Sequence, residues 1–161
     1  ARSFFFVLFH FLNYKYTNVD VVFISHDSEA REVSEDDFFK KGSAGGTIVS
    51  SALQTCVNAV ISRYHPDSWN IYAFHCSDGD NWPSDNDKAC DLSCTIRDFS
   101  QLYCFIEITP EDEKLAWDTG QSSLSKSYES LIDSRFKMIH IFGKRDIWPA
   151  FKRIFGGKID E

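Results

Sequence analysis

The sequence predicts an α/β fold: an open, mainly parallel sheet with helices on both faces. Three observations carry this. Short apolar runs rich in β-branched and aromatic residues, at 19–24, 70–76, 102–108 and 137–142, read as buried strands. Segments with helical spacing of apolar residues separate them, and strands alternating with helices give a mainly parallel sheet. The length, 161 residues with 43% hydrophobic composition, suits one domain, 1–161, with a sizeable core.

The elements follow in order. Residues 2–16 contain, after Arg2, the run Phe4-Phe5-Phe6-Val7-Leu8-Phe9-His10-Phe11-Leu12. This run is too short to cross a bilayer, which takes about 20 apolar residues, and no small-residue cleavage site follows it. It reads as a helix buried on most sides. Having no capping residue before it, the helix also reads as starting in mid-domain, so an amino-terminally truncated domain is expected. The strand at 19–24 is followed by a His26-Asp27-Ser28-Glu29 turn and a short antiparallel edge strand at 30–33. A helical turn around Phe38-Phe39 leads into the glycine-rich loop 42–47. From 48 to 64, apolar residues at 49, 52, 53, 56, 57, 60 and 61 predict a helix with Thr47 as its N-cap. The strand at 70–76 comes next, then an acidic loop and a helix opening at Asn86 or Asp87. Beyond the strand at 102–108, residues 124–132 read as helical. The strand at 137–142 and an amphipathic helix around Ile147, Phe151, Ile154 and Phe155 close the chain.

Charge and cysteine content narrow the function classes. A net charge of −7 carries none of the basic footprint of a nucleic-acid or membrane-surface protein. The 5 cysteines include no C-x-x-C pair, and several sit in apolar runs. Reduced thiols of a cytoplasmic protein fit this better than a disulfide framework. Cys90 and Cys94 alone make a weak zinc pattern.

The stretch most suggestive of chemistry is Phe74-His75-Cys76-Ser77-Asp78-Gly79-Asp80-Asn81-Trp82. An apolar strand stops there at a Ser-Asp-Gly-Asp turn, on the edge where open α/β sheets usually bind ligands. The loop 42–47 places the Thr47 hydroxyl, with Gly45 and Gly46 before it, at the same edge. A hydroxyl and a carboxylate are hard oxygen donors suited to Mg²⁺ or Mn²⁺. Other patterns fail on inspection. A P-loop needs Lys where Gly46 stands, and Pro83 occupies the glycine position of an EF-hand. Asp118-Thr119-Gly120 lies in an α/β chain, and Ser84-Asp85-Asn86 lacks its Lys-Thr-Gly companion. His75 and His140, alternating with apolar neighbours, read as satisfied core histidines. His26, ending a strand at the site's edge, is kept as a second-shell candidate.

Ser77-Asp78-Gly79 at a strand end, with a Gly-Gly-Thr loop opening a helix, resembles the von Willebrand factor A (vWA) domain, a Rossmann-like fold. Its metal-ion-dependent adhesion site (MIDAS) is built from three loops. More closely, Ala1-Arg2-Ser3-Phe4-Phe5-Phe6, Phe23-Ile24-Ser25-His26, Gly45-Gly46-Thr47-Ile48-Val49-Ser50-Ser51-Ala52, Trp69-Asn70-Ile71-Tyr72 and Ser77-Asp78-Gly79-Asp80-Asn81 resemble the YeaH/YhbH-type bacterial proteins. The resemblance implies a cytoplasmic protein with a vWA-like carboxyl half, linked to a stress- or sporulation-associated serine protein kinase system. It implies Thr47 as the second-loop metal ligand and Asp78 as the third. The first-loop motif, Asp-x-Ser-x-Ser, is absent from these residues, and so is the first central strand. That strand belongs between 19–25 and 71–76. Direct pairing of those two strands would set them about 4.8 Å apart, and a vacant place about twice that.

The expected function is therefore a protein-binding module, not an enzyme, with Mg²⁺ completing a bridge to a partner carboxylate. Thr47 and Asp78 would hold the metal, Asp80 and Asn81 would tune the loop, and Trp82 would add apolar contact. One alternative is a metal-dependent hydrolase with Asp78 or His26 as general base. Another is a metal-free scaffold in which Asp78 caps the next helix.

Overall fold

The run around Tyr103-Cys104-Phe105-Ile106 forms the strand against which the other layers stack. The computed structural model describes residues 1–26, 29–40, 48–109 and 122–156. Strand β4 (Ser100–Ile108) is buried along nearly its whole length. Strands β3 (Ile71–Ser77) and β5 (Phe136–Ile141) flank it in parallel, giving the order β3-β4-β5. Parallel neighbours need crossovers. Helix α4 (Asn86–Phe99) makes one of them, and α5 (Ser123–Tyr128) lies between β4 and β5 in the chain.

Alternation along β4 fills two cores. Leu102, Cys104 and Ile106 point to one face and pack with Ile139 and Ile141. That face is covered by α1 (Arg2–Lys15), through Phe4 and Leu8, and by α6 (Ile147–Phe155), through Ala150, Phe151, Ile154 and Phe155. Tyr103 and Phe105 point the other way, to Val49, Leu53 and Val57 of α3 (Val49–Arg63), to Ala89 and Ile96 of α4, and to Leu124 and Tyr128 of α5. A three-stranded parallel sheet with helices on both faces is a Rossmann-like α/β arrangement.

The remaining strands form their own sheet. β1 (Phe23–His26) and β2 (Ala30–Val33) pair antiparallel, from Phe23↔Val33 to His26↔Ala30, and pack against α3 and α2 (Glu35–Lys40). The expected single sheet is thus two. Among the described residues no backbone hydrogen bond joins β1 to β3, although the His26 and His75 rings meet edge to face at 5.9 Å. The direct pairing considered from the sequence does not form.

Three expectations are corrected. The first helix is not buried on most sides: Phe4 and Leu8 are buried, while Phe6 is 54% exposed. Phe5, Phe6 and Phe9 pack on Phe38, Phe39 and Phe23, while Phe11 packs on Phe151 and Phe155, so the helix fills a seam between the two sheets. Ile61 is 70% exposed, because the buried stripe of α3 runs through Val49, Leu53, Val57 and Val60. The N-cap of α3 is Ile48, not Thr47. All 5 cysteines are free thiols. Burial pushes Cys56 up to about 11 and Cys104 up to about 12, which keeps both protonated and inert. Among the described residues no helix is long and apolar enough to cross a membrane.

Candidate functional site

Register across the parallel sheet sets out the carboxyl edge. Ser77 lies opposite Glu107, and Glu107 opposite His140, so the ends of three strands bring a hydroxyl, a carboxylate and an imidazole into one row. Immediately beyond Ser77, two small turns shape the loop. The Gly79 N–H donates to Ser77 Oγ at 3.1 Å, and the Asp80 N–H donates to Asp78 Oδ1 at 3.2 Å. Such side-chain-to-backbone bonds are how Ser and Asp build turns. They leave the side chains of Asp78, Asp80 and Trp82 exposed at the rim.

Gly79 is required here. Its φ is +87°, and a Cβ would lie 2.5 Å from Ser122 Cβ and 2.7 Å from Glu107 Oε1. Any side chain would combine left-handed strain with a collision.

The second half of the loop is spent on helix α3. Asn81 Oδ1 accepts from the Val49 N–H at 3.1 Å, and Asp85 Oδ2 accepts from the Ser50 N–H at 2.9 Å. Asn81 Nδ2 donates to Asp85 Oδ2 and to Asn86 Oδ1. Orphan donors of a helix N-terminus are thereby satisfied by residues more than thirty positions downstream. The role first expected of Thr47, capping α3, is carried by Asn81 and Asp85. Asn81 anchors the loop as well as shaping it. The first two amides of the helix, at Val49 and Ser50, are thus already occupied.

Asp78 does not cap the helix that follows, as the scaffold alternative would have it. That helix opens at Asn86 with no side-chain cap bond. Thr47, Gly45 and Gly46, the other half of the expected ligand set, lie outside the described residues.

Glu107 was missed from sequence, although a Glu inside the run 102–108 was a visible signal. It is 1% exposed. Its Oε2 accepts from Ser122 Oγ at 3.0 Å and from Ser125 Oγ, and His140 Nδ1 stands 3.9 Å away. Ser122 Oγ also accepts from the Ser125 N–H at 3.0 Å and so caps α5. Burial lowers the pKa of His140 and outweighs the raising effect of Glu107.

His26 ends β1 against His75. His75, buried with its Nδ1 3.4 Å from the Tyr103 hydroxyl, lies in a chain that continues to Ser93 Oγ. Among the described residues its Nε2 has no hydrogen-bond partner, so it is only half satisfied there, contrary to expectation. Burial, reinforced by His26, holds His75 down at about 3. An enclosed imidazole of such low basicity is a poor general base at neutral pH.

The donor set at the edge fits a hard cation in kind but not in number. Among the described residues no group of three or more His, Cys, Asp and Glu side chains is placed to hold a metal. Asp78 is an exposed carboxylate at this edge.

A family profile described as "Protein of unknown function (DUF444)" matches residues 1–158. A UPF0229 protein of Ruminiclostridium cellulolyticum is 40% identical over 161 residues, which is 100% of this chain and 39% of the relative. UPF0229 proteins of Bacillus velezensis and Pectobacterium atrosepticum are each 41% identical over 96% of the chain, covering 38% and 35% of their own lengths. The chain therefore spans about two-fifths of the curated relatives it matches. No solved structure matches it.

Proposed function

The chain belongs to the DUF444 family, and on that footing we propose that it is a vWA-like protein-binding module whose carboxyl edge contributes part of a MIDAS. The observation that carries the reading is the presentation of Asp78. It stands exposed at the end of β3 on a turn held by Ser77 and Gly79, and the loop is bolted to α3 by Asn81 and Asp85. A carboxylate fixed in place without being consumed by the fold suits a cation ligand.

In this reading Asp78 and Thr47 hold Mg²⁺ or Mn²⁺, directly or through water. One coordination position stays open for a partner's carboxylate. Gly45 and Gly46 let the second loop approach, Asp80 adds negative potential, and Trp82, 63% exposed, adds apolar contact beside the metal. The first-loop ligands and the strand between β1 and β3 come from the remaining length of full-length family polypeptides. The lack of pairing between β1 and β3 supports this, since an unpaired strand edge is a ready template for a further strand. The partner is a cytoplasmic protein, with the serine protein kinase system implied by the YeaH/YhbH resemblance as the first to try.

Calorimetric titration of the full-length protein with Mg²⁺ tests the proposal. One saturable site is expected, weakened at least tenfold by Asp78→Ala and by Thr47→Val. Unchanged binding in both variants would remove the MIDAS reading.

A further inference from the structure

We propose that Glu107 is a positioning residue: it fixes the Asp78-Gly79 turn through Ser122, so that the state of the binding edge and the state of α5 are set together. The turn matters because of the binding role given to Asp78 above, but the packing argument stands apart from any metal.

A carboxylate removed from water is expensive unless charge or donors compensate it. Among the described residues the only ionisable side chain within ion-pair distance of Glu107 is His140, at 3.9 Å, and burial works against its charge. The close compensation comes from two hydroxyls, Ser122 and Ser125, both donating to Oε2. Ser125 belongs to the first turn of α5, and Ser122 is the cap of that helix. One oxygen atom of Glu107 therefore gathers the start of α5.

The other oxygen faces Gly79. A Cβ at Gly79 would meet Glu107 Oε1 at 2.7 Å and Ser122 Oγ at 2.6 Å. The turn that carries Asp78 thus rests, with no spare clearance, on Glu107 and the residue Glu107 holds. If Ser122 moves away, Gly79 loses the wall that confines its left-handed conformation. If the turn is pulled outward by a ligand on Asp78, Ser122 and α5 are freed to follow. Close-packed contacts of this kind transmit displacement instead of absorbing it. The coupling is mutual by thermodynamic necessity.

Hydrogen exchange on the full chain, read by mass spectrometry in metal-free buffer with EDTA, tests this independently of Mg²⁺ binding. Glu107→Ala is expected to speed exchange at 78–81 about tenfold while leaving the β4 amides at 103–106 unchanged. Glu107→Gln keeps an acceptor oxygen for both serines and should restore most of the protection, which loss of bulk packing alone would not require. Ser122→Ala, which buries no new charge and guards against a misfolded Glu107 variant, should speed exchange at 78–81 in the same direction. Unchanged exchange at 78–81 in Glu107→Ala and Ser122→Ala would overturn the proposal. So would acceleration spread equally over 78–81 and 103–106. Loss of Mg²⁺ binding with this exchange pattern intact would count against the metal site and leave the positioning role standing.

Discussion

Asn81→Ala should destabilise the fold well beyond the cost of an ordinary loop substitution. The side chain accepts from the Val49 N–H at 3.1 Å and donates to Asp85 Oδ2 at 3.2 Å and to Asn86 Oδ1 at 2.9 Å. Losing a side-chain cap costs ~1 kcal/mol. Leaving Asp85 and Asn86 short of a donor in a half-buried place adds ~1 kcal/mol. The expected total, roughly 2 kcal/mol, would lower Tm by about 4–8 °C for a domain of this size. Urea unfolding of Asn81→Ala beside Asp80→Ala measures it, because Asp80 is exposed and its substitution should stay within about 0.5 kcal/mol. A double-mutant cycle with Asp85→Ala should show a coupling of ~1 kcal/mol, since the two side chains hold adjacent amides of one helix. An Asn81→Ala cost indistinguishable from that of Asp80→Ala would refute the claim that the loop is bolted to α3.

Other outcomes follow from the same geometry. Gly79→Ala should cost at least ~2 kcal/mol in urea unfolding, from left-handed strain and overlap with Ser122. Stability should also fall with acid because His75 is held neutral. Its folded value is depressed from 6.5 to about 3, so its contribution is complete above 6.5 and is lost as pH falls toward 3. At pH 5 that loss is roughly 2 kcal/mol, and His75→Phe should flatten this part of the pH profile. Trp82→Ser should leave stability within about 0.5 kcal/mol, because the ring is exposed, and weaken partner binding in a pull-down with purified partner.

The layers of the fold were legible because period is a local property. β-branched runs gave β3, β4 and β5, and helical spacing gave α3 and α6, within a residue or two, while the acidic loop's break placed the start of α4. Ile61 was misplaced because the spacing of α3 allows two neighbouring stripes, and only the position of Tyr103 and Phe105 selects between them. At the site, the position and exposure of Asp78 could be read from a strand ending in a polar turn. The anchoring of its loop could not, because Asn81 and Asp85 act on amides 32 and 35 residues away. The same holds for the row Ser77, Glu107 and His140, which only the strand register assembles. A charged residue within an apolar strand marked Glu107, yet nothing local tells that its partners are Ser122 and Ser125. The absence of pairing between β1 and β3 was one of two outcomes the strand order left open, and the structure selects it.

On the function proposed above, Asp78 presents a cation ligand at this edge. Titrating the full-length protein with Mn²⁺ and following free metal by electron paramagnetic resonance tests it most directly. One bound Mn²⁺ per chain is expected, displaced by Mg²⁺, lost in Asp78→Ala and retained in Asp80→Ala. Equal Mn²⁺ binding by wild type and Asp78→Ala, or no binding by either, would contradict it.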